Sequence, residues 1–129
     1  MSGRFLLDTN VVIRLLEGDV SIQHRIAAGA RVVVPPVVMG ELYFGALNST
    51  RIKDNLGRIN RFLTQAVVLE CNVDTAYEYG VIRSELRNKG RPIPENDVWI
   101  AASARQNQLP LVSRDAHFAC VDGLSLERW

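Results

Sequence analysis

Short apolar runs alternate along this chain with longer stretches whose apolar residues recur at helical spacing. That alternation constrains the fold more than any other feature. Short apolar runs bounded by turn residues read as buried strands, and strands separated by helices must run parallel. Phe5-Leu6-Leu7, Val32-Val33-Val34, Val67-Val68-Leu69 and Leu109 to Ser113 read as four strands, with Leu124 to Leu126 as a short fifth. Between them, Thr9 to Glu17 reads as a helix stopped at Gly18, and Ser21 caps a second short helix ending at Gly29. Pro35-Pro36 closes the second strand, and a helix follows from about Val37 to Leu47. Ile52, Leu56, Ile59 and Leu63 mark an amphipathic helix from about Arg51 to Thr64. Thr75-x-x-Glu78 resembles a capping box that opens a long helix ending near Gly90. After Pro92 and Pro94, a last helix spans about Glu95 to Asn107. The expected fold class is α/β, with a central parallel sheet of four to five strands.

At 129 residues the chain suits one domain over 1–129, large enough to fold without a disulfide or structural metal. Cys71 and Cys120 stand alone, outside any metal-ligand spacing, and read as two buried, reduced thiols. No apolar run approaches the ~18 residues of a membrane span. The N-terminus lacks a basic segment followed by a long apolar one, so the expected location is cytoplasmic. Fifteen Lys and Arg against 14 Asp and Glu leave a net charge of +1. A general pull on nucleic acid is thereby excluded, and any RNA binding must use a local basic patch or one pooled between subunits.

Most acidic residues need no explanation beyond solvent, but four stand among core residues. Asp8 closes the first strand between Phe5-Leu6-Leu7 and Val11-Val12-Ile13. It can cap the following helix, yet it also sits at a strand C-terminal end, where a doubly wound sheet forms its ligand crevice. Glu41 is the only charged residue from Val32 through Thr50, in a helix apolar almost all round and therefore expected to be buried. A lone buried carboxylate requires a partner from elsewhere in the fold or a cation. Asp97 shares a helical face with Ile100, Ala101 and Ala104, and a first-turn Asp also gains from the helix dipole. Asp115 lies just past the fourth strand, where an ordinary turn residue is the plain alternative. Two strand ends and two helix starts can converge. Clustered carboxylates repel one another and raise each other's pKa values. A divalent ion relieves that, and oxygen-only ligation suits Mg²⁺ or Mn²⁺.

Four segments carry a resemblance: Leu6-Leu7-Asp8-Thr9-Asn10, Gly40-Glu41-Leu42, Asn96-Asp97-Val98-Trp99-Ile100-Ala101-Ala102 and Leu111-Val112-Ser113-Arg114-Asp115-Ala116-His117-Phe118. In order and spacing the chain resembles the PIN-domain family, and within it the VapC-like toxins of VapBC modules. The resemblance implies a three-layer α/β/α sandwich with strand order near 3-2-1-4-5. It carries the family acids onto Asp8, Glu41, Asp97 and Asp115, as metal ligands and catalytic residues. Thr9 or Asn10 falls at the polar position after the first acid, and Ser113 falls where a Thr or Ser is usual. It implies metal-dependent endoribonuclease activity on tRNA or ribosomal RNA, leaving 3′-hydroxyl and 5′-phosphate ends. A homodimer and a cognate VapB-like antitoxin that covers the site are implied as partners.

Arg83, Arg87 and Arg91, with Lys89 close by, could position RNA near the end of the long helix. Arg51, Lys53, Arg58 and Arg61 decorate the preceding one, and a solvated face is the ordinary explanation of either cluster. His24 and His117 have no ligand partner nearby in sequence, although His117 adjoins the last acidic motif. Trp99 reads as core or interface. Two other Mg²⁺-dependent classes, one with Asp after the first strand and one with an early acidic pair and an Asp ending the third, do not fit. A haloacid-dehalogenase-like phosphatase needs a second Asp where Asn10 stands, and a receiver domain needs a late Lys, whereas none follows Lys89. There is no phosphate-loop motif. A non-catalytic RNA- or protein-binding module of the same fold is the remaining alternative, and the intact acids argue against it.

Overall fold

A computed structural model describes residues 3–129. Its five strands are β1 (Arg4–Leu7), β2 (Arg31–Val34), β3 (Ala66–Val68), β4 (Leu111–Val112) and β5 (Leu126–Glu127). They form one sheet in the order β3-β2-β1-β4-β5, every neighbouring pair parallel. The expected class, three-layer arrangement and strand order all hold. The helices are α1 (Thr9–Leu16), α2 (Val20–Ala27), α3 (Pro36–Leu47), α4 (Ile52–Leu63), α5 (Val73–Asn88) and α6 (Glu95–Gln106), with a 3-10 turn over Ala116–Cys120. Right-handed crossovers place α1–α4 on one face and α5–α6 on the other. Among the described residues no helix is long and apolar enough to cross a membrane.

The central strands are continuous apolar runs because helices cover both faces. Leu6, Leu7, Val33, Val34, Leu111 and Val112 are almost wholly buried. Succession runs leftward from β1 to β2 to β3, then jumps across to β4 and β5. The switch therefore lies between β1 and β4, paired at Leu6↔Leu111 and Leu7↔Val112. Asp8 follows immediately on one strand and Ser113 on the other, and the Asp8 N–H still donates to the Val112 carbonyl at 3.0 Å. A crevice opens at such a point because flanking helices depart in opposite directions.

Local chemistry displaces several expected boundaries. Asp19, not Ser21, caps α2, accepting from the Ser21 and Ile22 N–H groups. The capping box of α5 is Asn72 with Thr75, one turn ahead of the Thr75–Glu78 pair. Thr75 is thus the N3 member of the box, and Glu78 is left to pair with Arg105 at 3.1 Å. β4 is shorter than the Leu109 to Ser113 run, because Pro110 has no N–H and Gln108 turns the chain with φ +53°. α3 is not buried all round: Phe44 is 71% and Leu47 56% exposed. An apolar helix has here a face turned to solvent, as at surfaces that partners cover. The thiols are both free, as expected, but Cys71 is exposed and Cys120 half-buried, because they lie in the loop after β3 and in the 3-10 turn rather than in the core.

Candidate functional site

The strand-to-helix turn after β1 places Asp8 among apolar neighbours, with 4% of its surface exposed. It serves as N-cap of α1, accepting from the Thr9 N–H at 2.8 Å. Its second oxygen accepts from the Ser113 hydroxyl at 2.8 Å. The Ser113 hydroxyl also accepts the Asp115 N–H at 3.0 Å, so one buried serine ties the ends of β1 and β4 together. Thr9 performs the matching task toward α3: its hydroxyl donates to Glu41 at 2.6 Å. Two hydroxyls thereby link three carboxylate-bearing segments. Asp97 enters from the first turn of α6, which packs against α3 near Glu41.

The electrostatics report the convergence directly. Burial raises the Asp8 pKa above its ordinary range; the Ser113 and Thr9 hydrogen bonds oppose that, and the charges of Asp115 and Glu41 add to it. Asp97 is pushed up to about 6, by burial first and then by the charges of Asp8, Asp115 and Glu41, with His117 acting the other way. The four sequence-selected acids thus lie near enough to act on one another's charge. Among the described residues their ion pairs are with His117 alone: its Nδ1 lies 3.2 Å from Asp115 and 3.9 Å from Asp97. Asp97, Asp115 and His117 each offer one ligand atom, all within 4.8 Å of one another. Repelling, desolvated carboxylates with no ion pair to a lysine or arginine among the described residues fit a divalent cation.

Asn10 is exposed and lines the same mouth as Asp115, together with Arg14 and Arg114. Arg114 is committed elsewhere, to Asp19 at 3.1 Å and to the Trp129 carbonyl oxygen at 2.8 Å, which fastens the segment just before Asp115. Sequence reading gave Arg114 no role, and its partners lie too far away along the chain to signal one.

The basic candidates separate. Lys89 pairs with Asp122 at 2.7 Å, and Arg83 is engaged by Glu95 and by the Tyr79 ring. Arg91 leans toward the Cys120 sulfur. Arg87 has no ion pair among the described residues and lines, with Arg83, Pro92 and Glu95, a groove of about 550 Å³ beside the start of α6. Of the α4 set, Arg51 pairs with Asp54 and Arg58 lines a cavity that reaches Glu41. Trp99 is half-buried and stacks on Tyr79, centroids 4.0 Å apart. On the other side of the acids, Ile13, Leu16, Leu42 and Ile59 line an apolar cavity of about 260 Å³ that reaches Glu41.

Residues 5–124 match the family model of the PIN domain. The chain is 35% identical to "Ribonuclease VapC2" of Haemophilus influenzae, over 98% of each chain. It is 33% identical to "tRNA(fMet)-specific endonuclease VapC" of Shigella flexneri, again over 98% of each. Among solved structures, the VapBC2 complex of Rickettsia felis bound to a fragment of promoter DNA contains a chain that superposes with a TM-score of 0.92, at 25% identity, covering 98% of this chain and 99% of that one.

Proposed function

The chain belongs to the PIN-domain family, and from that premise and the acidic pocket we propose that it is a divalent-metal-dependent endoribonuclease, the VapC-type toxin of a toxin–antitoxin pair. One observation carries the reading. Four carboxylates from four separate elements meet where the sheet switches direction, unpaired with any lysine or arginine among the described residues, and one is lifted to about 6 by the others and by burial. Such a cluster is poorly stable alone and well suited to Mg²⁺ or Mn²⁺. Asp8, Glu41 and Asp97 would hold the ion, with Asp115 completing the set.

When bound, the ion supplies Lewis acidity, lowering the pKa of water and offsetting negative charge at phosphorus. The protein's own contribution is placement. Ser113 and the Thr9 N–H fix both oxygens of Asp8, and the Thr9 hydroxyl fixes Glu41. These bonds hold the carboxylates aimed before any ligand arrives, so little reorganisation remains for the reacting complex. Arg87, in the groove beside the start of α6, would supply positive charge for a polyanion. Transfer RNA is the favoured substrate, following the Shigella relative, with ribosomal RNA as the other candidate.

The partners follow from exposed apolar surface. The cavity that reaches Glu41 is lined mainly by apolar side chains and suits an apolar segment of an antitoxin, which would close the pocket from that side. Val73 and Tyr77, 82% and 71% exposed on α5, offer a second face for a homodimer.

The test is cleavage of purified tRNA and ribosomal RNA with Mg²⁺ or Mn²⁺. Wild type should cut and leave 3′-hydroxyl and 5′-phosphate ends, while Asp8→Asn and excess EDTA should each abolish cutting. Equal cleavage in EDTA, or RNA left whole with either metal, refutes the proposal.

A further inference from the structure

We infer that His117 is a nitrogen ligand of the ion held at Asp97 and Asp115, and that it biases this centre toward first-row transition ions over Mg²⁺. The inference rests on the metal-dependent reading above and adds to it a donor of a different kind.

The position of His117 arises from local structure. Asp115 caps the 3-10 turn Ala116–Cys120 by accepting the His117 N–H at 2.9 Å. This turn folds the imidazole back over the carboxylate that begins it, instead of letting it extend into solvent. The side chain is 56% exposed, so burial does not force the arrangement. Nevertheless Nδ1 faces two carboxylates at once, one from the β4 end and one from α6, at 3.2 and 3.9 Å.

Those separations suit a common ion. In an octahedral shell with bonds of about 2.1 Å, adjacent donors lie about 3.0 Å apart and opposite ones about 4.2 Å. The three donor atoms here already lie within 4.8 Å of one another. With the ring proton on the outward Nε2, the Nδ1 lone pair is left for the ion.

The chemical consequence is selectivity. Mg²⁺ takes oxygen donors and retains its waters, so an imidazole adds little to its binding. Affinity for nitrogen rises along the first-row series beginning at Mn²⁺, so the same imidazole strengthens those ions.

Mn²⁺ is the probe, because it is paramagnetic and fits the carboxylates. Electron spin-echo spectroscopy of the Mn²⁺-loaded protein should show the ¹⁴N coupling of a directly bound imidazole, lost in His117→Gln and His117→Asn. Calorimetry should show Mn²⁺ affinity falling about ten-fold in those variants, with Mg²⁺ affinity moving less than about three-fold. Circular dichroism should show both variants folded. Bound Mn²⁺ with no imidazole coupling in wild type overturns the inference. So does an equal loss of both metals, which would make His117 only a positioning residue for Asp115. Wild type that binds neither metal, or Asp8→Asn that binds both unchanged, would instead sink the metal-centre reading beneath it.

Discussion

Neutralising Asp97 should make the metal-free protein more stable while ending its catalysis. The carboxyl is 18% exposed, and its pKa is raised from 3.8 to about 6 by burial and by Asp8, Asp115 and Glu41. A carboxyl with a raised folded-state pKa holds its proton more tightly when folded than when unfolded. Below about pH 4 both states are mostly protonated and little stability is at stake. Between about pH 4 and 6 the unfolded carboxyl ionises while the native one keeps its proton, so the penalty builds in that window and is nearly complete by pH 7.5. At 1.36 kcal/mol per pKa unit the full penalty is about 3 kcal/mol, an upper bound because the neighbouring acids share protons. The N-terminal dipole of α6 returns some of it.

Asp97→Asn keeps the shape and removes the charge. In EDTA at pH 7.5 it should be about 2–3 kcal/mol more stable than wild type by urea denaturation, a melting shift of roughly 3–5 °C per kcal/mol for a chain of this size. At pH 5 the gap should roughly halve, and near pH 4 it should be under about 1 kcal/mol. Saturating Mn²⁺ should raise the wild-type midpoint and leave the variant's nearly unmoved, since only a native-state site is stabilised by its ligand. A variant less stable than wild type in EDTA at pH 7.5, or a gap independent of pH, would show that these carboxylates do not oppose one another.

Other expectations follow from single residues. Gln108 closes α6 in the left-handed region, at φ +53°, with its N–H on Arg105 and the Leu109 N–H on Ala104. Gln108→Gly should therefore stabilise the chain by about 1 kcal/mol in urea titrations, RNA cleavage unchanged. Arg105 reaches from α6 to Glu78 and Glu85 of α5 at 3.1 and 3.4 Å, in a partly buried setting. Arg105→Ala should cost about 2–4 kcal/mol, because it strands the Glu78 carboxylate, and Glu85→Gln should cost much less. Arg87→Glu should weaken RNA binding several-fold and flatten its salt dependence by about one unit of slope, read by titration at two salt concentrations.

Asp8 shows why so much of this site was legible before any coordinates. Its sequence reading as a helix cap holds, and its second oxygen is turned to the strand-end crevice, where it meets Ser113 across the sheet. A charge set inside a run of core residues is conspicuous, and strand ends next to a switch in strand order are the places where the fold can use it. Glu41 was conspicuous for the same reason. Its partner was not, since the Thr9 hydroxyl that holds it lies 32 residues away and reads in sequence as an ordinary first-turn residue. Periodicity placed every helix and strand, yet it displaced two helix starts, because Asp19 and Asn72 won the capping over Ser21 and over the Thr75–Glu78 pair.

What sequence hid was surface and juxtaposition. Apolar side chains such as Phe44 and Leu47 look alike on paper whether they face a core or a partner, and only the packing of α3 on α1, α4 and α6 shows which ones are left over. His117 is hidden more deeply. Two residues from Asp115, it has no ligand spacing in the sequence, and an extended chain would carry its ring away from the acids. The 3-10 turn reverses that, and α6 brings Asp97 from 20 residues upstream to meet it. A donor of this kind becomes visible only when a cap, a turn and a tertiary contact are taken together. A metal preference set by His117 would follow from that geometry rather than from the acids alone.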